Sequence, residues 1–238
     1  MEKKVILLTG ASSGIGYQTA ELLAKQGHTV YGAARRVEKM EPLKAFGVKP
    51  IRLDVTNQES VDEAVEAIIK AEGRIDVLVN NASYGSYGAV EDVSMEEARK
   101  QFDVNIFGVA MLINKVLPYM RAHHSGTIVN EASIGGRLTT YFGAWYHATK
   151  YTLETLSDAL RMETKPFGIN ISIIEPGGIK PLVWLHGCLP AGSMPLWCTQ
   201  ANSRIFGVLG GSPSSASTKT VFLTSIDARS LISMPFFC

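Results

Sequence analysis

Six short apolar runs, separated by stretches of helical character, constrain the fold of this chain more than any other feature. The runs are Val5 to Leu8, Thr29 to Ala33, Val48 to Leu53, Ile75 to Val79, Thr127 to Asn130 and Asn170 to Ile174. They are apolar throughout instead of alternating, the pattern of strands covered by helices on both faces. Between them, helix signals run from Gly14 to Gln26, stopped by Gly27, and from Gln58 to Ala71, entered through Thr56-x-x-Glu59. A third helix starts at Ser94-x-x-Glu97, and a fourth runs from Ala144 to Lys165 and stops before Pro166. Ser or Thr followed three residues on by Glu is the capping-box pattern, which satisfies two backbone donors at a helix start. Repeated strand–helix–strand order predicts an α/β fold: a doubly wound parallel sheet in three layers, forming one domain over residues 1–180.

A chain of 238 residues with 46% apolar content can bury one large core. With a formal net charge of +1 and no Lys/Arg block, it lacks the electrostatic footprint that nucleic acid or anionic lipid requires, so the expected partner is a small molecule. The apolar run Val5-Ile-Leu-Leu8 is shorter than the roughly 7 to 15 residues of a secretory leader, and no stretch approaches the roughly 20 of a membrane span. No membrane association and cytoplasmic residence are therefore expected. Cys188, Cys198 and Cys238 are odd in number and show no metal-ligand spacing, so neither a disulfide framework nor a metal site is expected.

The first run leads into Thr9-Gly10-Ala-Ser12-Ser13-Gly14-Ile15-Gly16 and then a helix. In that context a glycine-rich turn brings backbone N–H groups and a helix N-terminus up to a pyrophosphate. Gly10 permits the tight turn, Gly14 lets the phosphates approach, and Gly16 lets helix and strand pack closely. An ordinary strand-to-helix loop is the alternative for a lone glycine triplet, and its place after the first strand of a βαβ series favours a dinucleotide.

The Gly-x-x-x-Gly-x-Gly spacing is followed by Asn80-Asn81-Ala82-Ser83 after the fourth run and Ser133 after the fifth. Tyr146-x-x-x-Lys150 comes next, and then Pro176-Gly177 after the sixth. In this order they resemble the short-chain dehydrogenase/reductase pattern, over residues 1–180. Longer sugar-modifying relatives space the loop as Gly-x-x-Gly-x-x-Gly and lack the Asn-Asn-Ala stretch, so the resemblance is to the short oxidoreductase branch. It implies a Rossmann-type fold and hydride transfer between a nicotinamide cofactor and an alcohol or carbonyl compound, with Tyr146 as general acid/base. It further implies that Asn105 holds a water linking Lys150 to solvent. Asp54-Val55 would touch the adenine and Asn81-Ala82 the ribose, while Ser12, Ser13, Ile15, Pro176, Gly177 and Ile179 would complete the cofactor contacts.

The chemistry requires a proton at the oxygen whose carbon exchanges hydride. A free phenol titrates near 10, roughly, so Tyr146 needs a neighbouring cation to favour phenolate. Lys150, four residues on, shares its helix face. Ser133 can hydrogen-bond the substrate oxygen as charge develops. Taken singly, Tyr146 equally suits a packed helix aromatic, Ser133 a turn, Asn105 a satisfied buried amide and Asp54 a helix cap; their joint order favours catalysis. At the end of the second strand, where an acidic side chain would hold a ribose 2′-hydroxyl, stand Ala34-Arg35-Arg36. A guanidinium there suits a 2′-phosphate, so NADP(H) is expected over NAD(H), the alternative being Glu38 on the ribose. Leu138, Tyr141, Phe142, Trp145 and Tyr84 suggest an apolar substrate. Leu153, Leu156 and Leu160 read as core or dimer packing.

After Lys180 the composition breaks. Residues 181–238 carry only Arg204, Lys219, Asp227 and Arg229 as charged groups, with nine serines, five prolines and all three cysteines. Neither helical nor strand period is sustained. Residues 181–238 therefore read as a shifted reading frame or a divergent lid, replacing the substrate lid and last strand. A homodimer through the two long helices is expected and a tetramer is not. A silent nicotinamide-binding protein, or an inactive product of a damaged gene, is the alternative to an enzyme.

Overall fold

The computed structural model describes residues 2–177 and 220–223. Among these residues seven strands form one sheet: β1 (Val5–Thr9), β2 (Thr29–Ala34), β3 (Lys49–Arg52), β4 (Val77–Asn80), β5 (Gly126–Glu131), β6 (Ile169–Pro176) and β7 (Thr220–Leu223). Every pairing is parallel, in the order β3-β2-β1-β4-β5-β6-β7. The chain winds outward from β1 to β3 and then outward again from β4, so the switch point falls between β1 and β4, where such sheets open a crevice beyond their strand ends. The shifted-frame reading of residues 181–238 lies outside the described residues, apart from Thr220–Leu223. That four-residue stretch pairs with β6 from Ile173↔Thr220 to Pro176↔Leu223. It is too short to show a strand period among the surrounding Ser, Gly and Pro, so no strand was expected at this position.

Helices cover both faces. α1 (Gly14–Lys25) and a 3₁₀ segment (Val37–Phe46) lie on one side; α2 (Gln58–Glu72), α4 (Gly108–Ala122) and α5 (Ala144–Thr164) lie on the other. β1 shows why both sides are apolar. Leu7 packs with Leu78, Ile128, Val65, Leu112 and Leu153, whereas Ile6 and Leu8 pack with Val30, Ala20, Met40 and Leu43. Leu7 and Leu8 are each 0% exposed, and burial of such a side chain contributes roughly 2 kcal/mol.

Two local features differ from the sequence pattern. Helix α2 is capped by Asn57, whose side chain accepts from the Ser60 N–H at 2.8 Å, and not by Thr56. Thr56 instead donates its hydroxyl to Asp54. The helix entered at Ser94, which does accept from the Glu97 N–H, is three pieces in one course. α3 (Met95–Phe102) runs into a π turn (Asp103–Phe107) and then α4. Apolar periodicity hardly distinguishes one wide turn from an α-helical one, and such turns concentrate at functional sites.

Candidate active site

The glycine loop is shaped by contacts on one side and openness on the other. Gly10 and Gly16 are pressed against the Asn81 side chain, where an added Cβ would sit 2.5 Å from Asn81 Nδ2. Gly14, at φ +58°, has nothing within 4 Å of the corresponding point. Its backbone face is open, which is what a phosphate approaching the loop requires. α1 begins at Ser13 with no side-chain cap and no acidic residue in its first turn, so its N-terminal dipole faces the loop uncompensated. These observations fit a nicotinamide dinucleotide with its pyrophosphate over Ser12 to Gly16.

Asn81 is fixed from behind. Its Nδ2 donates to the Thr9 carbonyl at 2.8 Å, and the Asn81 and Ala82 N–H groups both donate to Thr9 Oγ1. Below it, Asn80 donates to Asn130 Oδ1 at 2.8 Å, and Asn130 donates to Ser157 Oγ at 2.9 Å. This buried polar ladder ties β4, β5 and α5 together and sets where α5 presents its first turns.

Ser133, Tyr146 and Lys150 meet at the end of β5. Ser133 Oγ accepts from the Gly135 N–H at 3.0 Å, which leaves its own hydrogen for the Tyr146 hydroxyl. Tyr146 and Lys150 are 6% and 2% exposed. Lys150 Nζ donates to the Glu131 carbonyl at 2.8 Å and lies 5.7 Å from the Tyr146 ring centroid. The expected depression of the phenol by Lys150 is not what dominates here. Burial pushes Tyr146 well above the ordinary phenol range, and the Ser133 hydrogen bond opposes it, while Tyr87 and Glu131 raise it further. Burial also lowers Lys150 to about 8, against the pull of Glu131 and Glu154. The phenol therefore holds its proton, the form suited to donation.

Asn105 sits in the π turn, 1% exposed. Its Oδ1 accepts from the Tyr84 N–H at 2.8 Å and from Ser83 Oγ at 3.2 Å. Its Nδ2 donates to the Tyr84 carbonyl at 2.7 Å and to Thr149 Oγ1 at 3.0 Å. The side chain is thus committed to joining the segment after β4 to α5. Asp54 Oδ1 accepts from the Thr56 N–H and hydroxyl, at 3.0 and 2.7 Å. Val55 lies against α4, whose Gly108 leaves no room for a Cβ beside the Val55 carbonyl. Arg35 and Arg36 are exposed past the end of β2. Pro176 and the half-buried Gly177 close the far side of the site, and Ile179 lies outside the described residues.

Three residues near the site have no signal in the sequence. Tyr87, which follows the Asn-Asn-Ala segment, places its ring 5.6 Å from that of Tyr146. His147 accepts from the Thr140 N–H through Nε2 and so donates through Nδ1 to the Gly135 carbonyl at 2.9 Å, pinning the loop before α5. Glu131 lines a recess with Leu8, Ile15, Asn81, Ile174 and Pro176. Of the expected substrate residues, Tyr141 and Phe142 are 82% and 63% exposed, but Tyr84 is committed to Glu97.

Among the described residues no metal-binding cluster occurs, and no helix is long and apolar enough to cross a membrane. Residues 4–184 match the family model described as short chain dehydrogenase. The 3-ketodihydrosphingosine reductase of Bacteroides thetaiotaomicron is 44% identical over 178 residues, 74% of this chain and 64% of that one. The chain thus spans just under two thirds of this relative's length. A short-chain dehydrogenase from Streptomyces avermitilis superposes with a TM-score of 0.74 at 41% identity, over 79% of this chain and 70% of that one. The 3-ketoacyl-(acyl-carrier-protein) reductase from Brucella melitensis, solved with NADH, superposes with a TM-score of 0.73 at 32% identity, over 75% and 77%.

Proposed function

Because the chain belongs to the short-chain dehydrogenase family, whose members are oxidoreductases using nicotinamide cofactors, we propose that it interconverts an apolar carbonyl compound and its alcohol with NADP(H), Tyr146 exchanging the proton. The observation that carries this reading is the Ser133–Tyr146 hydrogen bond with Lys150 behind it, opposite a glycine loop whose face is open. When bound, the cofactor supplies or takes up the hydride.

A substrate carbonyl seated against Tyr146 receives hydrogen bonds from the Tyr146 and Ser133 hydroxyls, which stabilise charge as it develops on oxygen. Tyr146 then gives up its proton, and the adjacent Lys150 ammonium stabilises the phenolate left behind. Asn105 positions the Tyr84 segment and α5 around this group, and its π turn is where a water-borne proton would enter. Tyr87, Tyr141 and Phe142 form an apolar lip around the substrate, and the name of the Bacteroides relative agrees with a ketone. Arg35 and Arg36, with no carboxylate at the end of β2, favour a 2′-phosphate. Exposed Phe107, Tyr151 and Met162 on the π turn and α5 suit a homodimer through the two long helices.

Titration of the purified protein by nucleotide fluorescence is expected to give NADPH at least about tenfold tighter than NADH, followed by turnover of apolar ketones. Equal affinities would remove the NADP assignment. Tight binding without turnover of any carbonyl compound would favour a silent nucleotide-binding protein, and turnover confined to small, highly polar ketones would remove the apolar one.

A further inference from the structure

The recess between the glycine loop and Pro176 is lined by Leu8, Ile15, Val79, Ile174 and Pro176, with Thr19 and Asn81 as its uncharged polar groups. Among the described residues, its one ionisable lining group is Glu131. β5 alternates here: Asn130 points toward α5, where it meets Ser157, so Glu131 points to the opposite face, toward the start of α1. Nothing in the proton transfer assigned above employs this carboxyl.

The position of the recess says what crosses it. The loop receives the pyrophosphate, while Ser133 and Tyr146 fix the substrate oxygen. The carbon accepting hydride must then come within roughly 3.5 Å of the donor ring. A ring spanning from the loop to that point lies against Ile15 and Pro176, over Glu131. The oxidised ring is cationic and the reduced ring neutral. In a recess of low polarity a carboxylate attracts the first far more than it would in water, and the second hardly at all.

Resting on the reading that this recess takes the nicotinamide, we propose that Glu131 is a specificity-determining residue that makes the site prefer the oxidised over the reduced cofactor. The residue thereby biases the bound equilibrium toward the oxidised cofactor and alcohol, that is, toward carbonyl reduction. Burial raises the Glu131 carboxyl to about 7, opposed by Lys150, so the preference develops only as pH rises through neutrality. The titratable groups facing Glu131 are Lys150 and Tyr146, both on α5; α1 and the flanking strands present none.

Calorimetric titration of the full chain with NADP⁺ and with NADPH, at about pH 8.5, tests this without turnover. Glu131→Gln is expected to weaken NADP⁺ about tenfold and NADPH by less than about twofold, and Glu131→Val to do the same. A ratio of the two Kd values that stays within about twofold of wild type in either variant overturns the proposal. Should both variants fail to fold, the wild type decides: its preference for NADP⁺ must fall as pH drops to about 5.5, and a constant ratio overturns the assignment. A wild-type protein that binds neither nucleotide overturns the functional reading first, and this inference with it.

Discussion

The carboxyl ends of β5 and β6 carry acids on both faces of the sheet, and the two faces hold them differently. Toward α5, Glu175 is 1% exposed and Glu154 5%. Both are gripped by one guanidinium. Arg137 Nε and Nη2 reach Glu175 Oε1 at 2.8 and 2.7 Å, and Nη2 reaches Glu154 Oε2 at 3.1 Å. Glu154 Oε1 and Glu175 Oε2 meet no donor among the described residues, a costly arrangement for two carboxylates. The two carboxyls are close enough to hydrogen-bond, and a proton retained by Glu154 supplies that donor; burial and then the nearby Glu175 raise Glu154 to about 7. Toward α1, Glu131 is half-buried, faces a recess and has a lysine instead of a guanidinium fork. A charge closed in on every side braces the scaffold, tying the turn after β5 to α5 and β6. A charge facing an opening remains available to what enters.

The contrast predicts that function and stability separate. Tyr146→Phe, at the site itself, should lower turnover by roughly 10²- to 10⁴-fold while the melting temperature moves by no more than about 3 °C. A large loss of stability would mean that Tyr146 is a brace as well. Arg137→Ala, on the closed side, should do the reverse. It strands two buried acids, and because the Arg137 side chain is 44% exposed the cost is discounted to about 2 kcal/mol, or roughly 4–8 °C in Tm. Cofactor affinity unchanged within about twofold would complete the separation.

The smallest effect is a pH slope. A carboxyl raised on folding, as Glu154 is from 4.5 to about 7, binds its proton more tightly in the folded chain. Its stabilising effect is therefore complete below the unfolded pKa and is lost as pH rises through the folded one. The melting temperature should decline between about pH 5 and about pH 8, and less so in Glu154→Gln. Equal slopes in the two proteins would mean that the pair does not share a proton.

The chemistry was legible in the sequence where spacing along one helix or loop carries it. Gly10, Gly14 and Gly16 lie within one turn, and Tyr146 and Lys150 are one helical turn apart, so local geometry forces each set together. Glu131 was not legible, because Ile15 and Pro176 reach it across more than a hundred and more than forty residues. Arg137, Glu154 and Glu175 are likewise brought together only by three separate elements. The capping box failed at Thr56 by one residue, since Asn57 is an equally good cap and Asp54 engages the threonine. The six short apolar runs were legible because a strand buried on both faces has little choice of residue. Their ends were less so: β6 extends to Pro176 beyond the predicted Ile174, as backbone pairing continues where side-chain pattern stops.

The π turn at Asp103–Phe107 has a consequence for how this chain can change. An α-helix advances about 100° per residue, so the wide turn acts as a one-residue insertion that α4 has absorbed. Loss of a single residue there would close the turn into regular helix and rotate α4 relative to α3. Leu112, Ile113 and Val116 would then leave the sheet they now cover. Changes of length along this course are not tolerable, so the spacing from Ser94 to Gly108 is a fixed measure on which the core and the site both depend.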